Sequence, residues 1–231
     1  MFLSSLKLFT RLSLLLVLCM TFSCSLSSRG GRSFLTRHHY LSYPTIILDA
    51  GHGGDDSGTQ SQGKGKKYYE KDLTLTTTLF LRDHLEKLGY KVVLTRHRDV
   101  FIPLEGRSSK ANRHRNALFV SVHFNSAPNL KARGVEIYYY DSHKNQARSR
   151  ESHVLADRVL RHVLHYTKAE NRGVKRGNFH VIRETHIPSI LIEGGFLSNS
   201  SELKKLKSHK YLNRIAWGAA KGLDDFVKSQ I

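Results

Sequence analysis

Residues Tyr43–Gly58 read Y-P-T-I-I-L-D-A-G-H-G-G-D-D-S-G, and this stretch decides the fold. Thr45–Leu48 is a short, apolar, β-branched run bounded by Pro44 and by glycines, the pattern of a strand buried on both faces. Gly51, Gly53 and Gly54 then allow a sharp turn, with backbone conformations closed to other residues. His52 stands inside that turn, with Asp49, Asp55 and Asp56 close by. Open α/β sheets place ligands at the carboxyl ends of buried strands, so His52 reads as the first ligand of a catalytic zinc ion. A capping histidine in a glycine turn is the alternative.

The same pattern returns downstream. Ala117–Val122 (A-L-F-V-S-V) is a buried strand that ends in His123-Phe124-Asn125-Ser126, and Pro188–Ile192 (P-S-I-L-I) is another that ends in Glu193-Gly194-Gly195. Between these strands the periodicity changes to that of helices. One opens at Tyr69-Glu70-Lys71-Asp72 and ends at Gly89; others span Pro103–Arg115 and Asn145–Tyr166; Leu203–Leu206 and Tyr211–Val227 close the chain. Tyr90–Leu94, Gly134–Tyr140 (nearer a sheet edge) and Phe179–Ile182, which leads to Arg183, complete the expected strands. The fold class is α/β: an open, mostly parallel sheet of mixed type, helices on both faces, and a single catalytic domain.

In such a sheet His52, His123 and Glu193 emerge on one rim, and Glu70 starts a helix near it. Glu70 alone reads equally well as an acidic helix start that complements the dipole. Two imidazoles and a carboxylate around zinc leave a fourth position for water, whose pKa falls to roughly 7. A carboxylate outside that shell can take the proton and pass it to a leaving amine, and Glu193 is placed for this. Its structural alternative is a strand-end glutamate bonded to glycine amides. Glu136, charged on a pleat, reads as structural.

Six segments in register now carry a resemblance: D-A-G-H-G-G, Y-E-K-D-L-T-L, L-x-x-R-x-x-x-A-N (Leu104, Arg107, Ala111, Asn112), S-V-H-F-N-S, G-V-E-I-Y-Y and I-E-G-G-F-L-S-N. From about Thr45 to Val227 the chain resembles the zinc-dependent N-acetylmuramoyl-L-alanine amidases. The resemblance implies one zinc held by His52, Glu70 and His123, with Glu193 as the catalytic carboxylate. It implies hydrolysis of the amide between muramic acid and the first L-alanine of peptidoglycan, in wall remodelling or cell separation. It points to Asn125 and Arg183 as substrate-binding residues. The tract around Asn116 departs from the family by lacking an acidic residue. His180 departs as well; solvent or core is its expected place, with the cleft as the alternative. One helix and a loop fill Asp141–Phe179, so no inhibitory helix is expected, and activity should not depend on an activator.

The 231 residues suffice for one core, and 39% hydrophobic content is globular. Lys+Arg exceed Asp+Glu by 37 to 19, a formal charge of +18 that favours a polyanionic partner. Lys7 and Arg11 precede the apolar run Leu12–Phe22, so residues 1–24 read as a secretory signal, 25–42 as a basic linker and 43–231 as the zinc amidase domain. Export to the periplasm or cell envelope makes peptidoglycan the expected partner of a monomeric chain, with no nucleic acid. Only Cys19 and Cys24 occur, so the catalytic region has no thiolate for metal or nucleophilic work. Cys24 has two readings, a lipidated membrane anchor or a residue beside a simple cleavage site. His38-His39 reads as solvated linker. An inactive peptidoglycan-binding module remains the competing function. Ser201-Glu202-Leu203-Lys204 fits the S-x-x-K pattern of penicillin-binding enzymes but has no K-[S/T]-G partner.

Overall fold

The computed structural model describes residues 45–61 and 65–230, so the signal, the linker, Cys24 and His38-His39 lie outside the described residues. Six strands form one sheet: β1 (Thr45–Ala50), β2 (Val92–Leu94), β3 (Ala117–Asn125), β4 (Val135–Tyr139), β5 (Asn171–Arg176) and β6 (Ser189–Phe196), in the order β2-β1-β3-β6-β4-β5. The first four in that order are parallel, β4 runs antiparallel to β6, and β5 pairs parallel with β4. The sheet is therefore mixed.

Six helices cover it: α1 (Glu70–Lys87), α2 (Leu104–Asn112), α3 (Gln146–Thr167), α4 (His180–Arg183), α5 (Ser200–Leu206) and α6 (His209–Lys228). Leu81, Leu155, Val159, Ile215 and Leu223 from α1, α3 and α6 bury against Ile46, Leu48 and Val120 in the larger core. Ile47 and Phe119, pointing the other way from the same strands, meet Ala111 of α2 and Val181 and Ile182 of α4. Successive strand residues thus supply two cores, as the period of two requires. Gly218 and Gly222 let α6 approach α3 closely: a Cβ on either would lie 2.7 or 2.5 Å from the Cα of Val163 or Val159.

Three expectations need correction. Phe179–Ile182 is not a strand, because both flanks of β6 are taken by β3 and β4. Val181 and Ile182 instead reach the smaller core from the single turn α4, while Phe179 stays exposed. The connection after α3 is not simply a loop, since Asn171–Arg176 forms edge strand β5. N-R-G-V-K-R lacks an apolar run because it pairs on one side only, and edge lysines and arginines discourage pairing with another chain. β4 consequently lies one strand in from the edge. His123 and Glu193 sit within β3 and β6 rather than beyond them, paired in register. Among the described residues no helix is long and apolar enough to cross a membrane.

Candidate metal centre

From β1 the chain runs to β2 on one side of the sheet and then returns to β3 on the other, so the β1–β3 boundary is a topological switch point. Its carboxyl rim is where open α/β sheets bind ligands. His52 sits there with φ +61°, uncommon for any residue with a side chain. Hydrogen bonds from below hold that conformation. Arg107 Nη1 donates to Ala50 O (2.6 Å) and Arg107 Nη2 to His52 O (2.8 Å), while Arg96 Nη2 donates to Gly51 O (2.9 Å). Asp49, fully buried, accepts from Arg107 Nη1 (2.8 Å), Thr95 Oγ1 (2.7 Å) and Ser121 Oγ (2.8 Å). A buried charge survives only when satisfied in this way.

Three side chains then converge. His52 Nε2 lies 3.1 Å and His123 Nδ1 2.9 Å from Glu70 Oε1, and the imidazoles meet edge to face at 4.9 Å. One ligand atom from each residue lies within 4.8 Å of the others, so His52, Glu70 and His123 could hold a metal ion. Gly51 makes room, since a Cβ there would sit 2.2 Å from the His123 ring. His52 Nδ1 and Asp56 Oδ2 are 2.8 Å apart. With the proton on Nδ1, that bond leaves Nε2 free to ligate, the usual outer-shell arrangement for a ligating histidine. Glu70 Oε2 accepts from Thr59 N (3.0 Å) and Oε1 from Phe124 N (3.1 Å), fixing the carboxylate. Two nitrogens and one oxygen, with exposure on one side, fit an open hydrolytic zinc site.

The charges agree with that arrangement. Burial works against ionisation of Glu70, but hydrogen bonds from His123 and His52 outweigh it and hold the carboxyl far below its ordinary range. Burial likewise opposes protonation of His52, yet Glu70 and Asp56 leave its pKa raised. Glu193 behaves in the opposite way. Burial first, then the charges of Glu70 and Glu136, push it well above the usual carboxylate range. Its Oε2 is buried with no hydrogen-bond partner, so that oxygen does not make the glycine-amide bonds of the structural alternative.

A cavity of about 420 Å³ opens beside the centre, lined by His52, His123, His180, Phe101, Leu104 and Phe179. The last three are apolar yet 55, 51 and 39% exposed, a wall suited to substrate rather than to water. His180 is on this wall, with Nε2 buried and unpartnered, contrary to the expectation of solvent or core. Asn125 donates to Glu136 Oε1 (2.8 Å), and Arg183 bonds to Glu184 Oε1 (2.6 Å) and Asn178 Oδ1 (3.0 Å). Neither lines the cavity. Asp49, Arg96 and Arg107 shape the His52 turn; Asp49 and Arg107 stand in segments that carry the resemblance, but the sequence reading assigns none of the three this role. Ser201 Oγ is occupied with Asn199 Oδ1 (2.9 Å) in the cap of α5.

The N-acetylmuramoyl-L-alanine amidase family matches residues 46–225. The N-acetylmuramoyl-L-alanine amidase CwlM of Bacillus licheniformis is 36% identical over 180 residues, 77% of this chain; the match spans 66% of that protein. The crystal structure of N-acetylmuramoyl-L-alanine amidase from Clostridium difficile 630 superposes with a TM-score of 0.75 at 35% identity, covering 81% of this chain and 98% of that one. The CwlD amidase from Clostridioides difficile, solved in complex with the GerS lipoprotein, gives 0.74 at 32%, covering 80 and 99%.

Proposed function

The chain belongs to the N-acetylmuramoyl-L-alanine amidase family, and from that premise we propose that it hydrolyses the amide between N-acetylmuramic acid and L-alanine in peptidoglycan. The observation that carries this reading is the convergence of His52, Glu70 and His123 beside a glutamate with an unpaired, buried oxygen. In this reading the three residues hold one zinc ion, which when bound supplies Lewis acidity to a water and to the scissile carbonyl. Glu193 Oε2 takes the water's proton and returns it to the alanine nitrogen as the C–N bond breaks. Its raised pKa makes it a better proton acceptor than an ordinary carboxylate. Asp56 holds the His52 ring, and the apolar wall around Phe101 and Phe179 excludes water from the bound stem. Asn125 is held by Glu136 and Arg183 by Glu184 and Asn178, so substrate contacts by either would use the atoms these bonds leave open.

The rest of the assignment follows the sequence reading: a secretory signal over 1–24, a linker over 25–42, a monomeric amidase domain from 43, and an envelope location, with Cys24 either lipidated or beside a simple cleavage site. Short connections, Gly177–Phe179 before α4 and Glu184–Pro188 after it, support an enzyme whose centre is not blocked by an inserted helix. Mass spectrometry of murein digested by wild type, Glu193→Ala and chelated protein tests the reaction. Free stem peptides are expected from wild type alone, and products split at a glycosidic bond overturn it. Murein binding with no release of peptide would favour the inactive wall-binding module instead.

A further inference from the structure

The wall carrying Phe101, Leu104 and Phe179 is apolar. A basic cluster lies elsewhere near the centre, on the segment leading into α1. Tyr68 precedes the ligand-bearing Glu70 by two residues, so their Cα atoms are at most about 7.6 Å apart. Lys66 Nζ lies 5.6 Å and Lys207 Nζ 4.4 Å from the centroid of the Tyr68 ring. The two lysines come from distant parts of the chain. Lys66 belongs to the segment between β1 and α1, and Lys207 caps α5, which follows the carboxyl end of β6. Both side chains are exposed, and neither takes part in an ion pair between described residues.

The platform beneath them is built. Ser61, buried, donates its backbone N–H to Tyr68 O (2.9 Å), and its Oγ accepts from Tyr68 N (3.1 Å). Gln60 and Tyr69 pair as a bridge next to it. Through the ring centroid the two ammonium groups are at most about 10 Å apart, close enough to repel, and the ring offsets only part of that. An anion set against both would relieve the repulsion and make charge-assisted hydrogen bonds.

We propose that Lys66 and Lys207, seated on Tyr68, form a subsite for a carboxylate of the peptidoglycan stem peptide beyond its first alanine. The inference rests on the amidase reading, which places the scissile amide at the neighbouring centre. Each stem residue extends the chain by about 3.5 Å, so carboxylates two to four residues past the cleaved bond come within range of a cluster this near Glu70. The ligand is part of the substrate, and the subsite gives one local share of the chain's +18 charge a task.

The test uses the zinc-loaded full chain and soluble muropeptides in two forms, with free stem carboxylates and with those carboxylates converted to carboxamides. The double variant Lys66→Ala/Lys207→Ala is expected to raise KM for the carboxylate form about tenfold with little change in kcat, the mark of lost ground-state binding. The carboxamide form should raise the wild-type KM to the same level and leave the variant unmoved, since either change removes the one contact. Lys66→Arg/Lys207→Arg should restore binding of the carboxylate form. Calorimetric titration of the chelated protein with free stem peptide supplies a readout independent of turnover: binding weakened by the alanine pair and by amidation is expected. Equal KM values for both forms in wild type, or a variant defect that persists on the carboxamide form, overturn the subsite. A variant defect seen only on sacculi that retain phosphate polymers would assign the lysines to phosphate instead. If wild type cleaves neither form, the amidase reading fails, and the calorimetry still decides whether the lysines bind the carboxylate.

Discussion

Glu136 and Glu193 face each other across the antiparallel β4–β6 pair, identical side chains one strand apart. Glu136 accepts from Asn125 Nδ2 (2.8 Å), Tyr138 OH (2.9 Å), Arg172 Nε (2.7 Å) and Lys175 Nζ (2.5 Å). Burial would raise its pKa, but those partners win and lower it. Glu193 has no partner for Oε2, and burial beside two other carboxylates raises it. The difference teaches that placement on the rim is not what leaves a carboxylate available to a proton here. What matters is whether its proton affinity has already been spent on the fold.

The largest expected effect breaks that contrast at its reactive end. Glu193→Gln should lower kcat by a factor on the order of 10²–10⁴, the usual worth of a positioned acid–base group, while bound zinc stays stoichiometric. Stability to urea should hold or rise, because the substitution removes a buried carboxylate with an unpaired oxygen. A large loss of stability with turnover intact would return Glu193 to a structural role. Next in size is Arg107→Ala, which leaves buried Asp49 without its cation and the His52 turn without its brace. Breaking a buried pair from one side costs about 3–5 kcal/mol, read as a lowered urea midpoint.

How much of this was legible in the sequence depended on whether a residue's neighbours were local. Thr45–Leu48, Ala117–Val122 and Pro188–Ile192 are apolar because both faces are covered, so the strands and the rim they share followed from the chain itself. His52 and His123 stood out because histidine at the end of such runs has few structural reasons to be there. Edge strand β5 was invisible, because its one-sided pairing asks for no apolar run, and α4 was misread because only the crowding of β6 forbids a strand at Phe179–Ile182. The cavity-lining place of His180 depends on a loop's path, and the bonds that turn Asn125 and Arg183 elsewhere run to Glu136, Asn178 and Glu184, 1–11 residues away; no periodicity encodes them.

Asp56 sharpens the comparison from the ligand side, as a carboxylate spent on orienting another group. It is bonded to His52 Nδ1 and also accepts from Gly58 N (3.0 Å). Asp56→Ala frees the His52 ring to rotate and lose its tautomer. Metal affinity should fall 10–100-fold, measured by competition with a chromophoric chelator, with saturating zinc restoring most of the activity. Unchanged affinity would mean that the left-handed turn at His52 positions the ring without help.

The smallest effect lies with Glu136, and its sign with pH is fixed by the direction of its shift. The folded value lies below the ordinary 4.5, so the native state favours the ionised form. The resulting stabilisation is fully present above about 4.5 and is lost as pH falls through the lower folded value. Glu136→Gln cannot ionise, so its stability should decline less steeply than wild type over that acid window. At neutral pH the variant should be less stable by only about 1 kcal/mol, because Arg172 and Lys175 are 30 and 37% exposed and recover water when unpaired. Urea midpoints of both proteins between pH 3 and 7, taken without metal to keep the ligands' titration common to both, give the difference curve. If the curves are parallel, the four bonds to Glu136 contribute nothing that depends on its charge. The opposition between the paired and the unpaired glutamate would then rest on Glu193 alone.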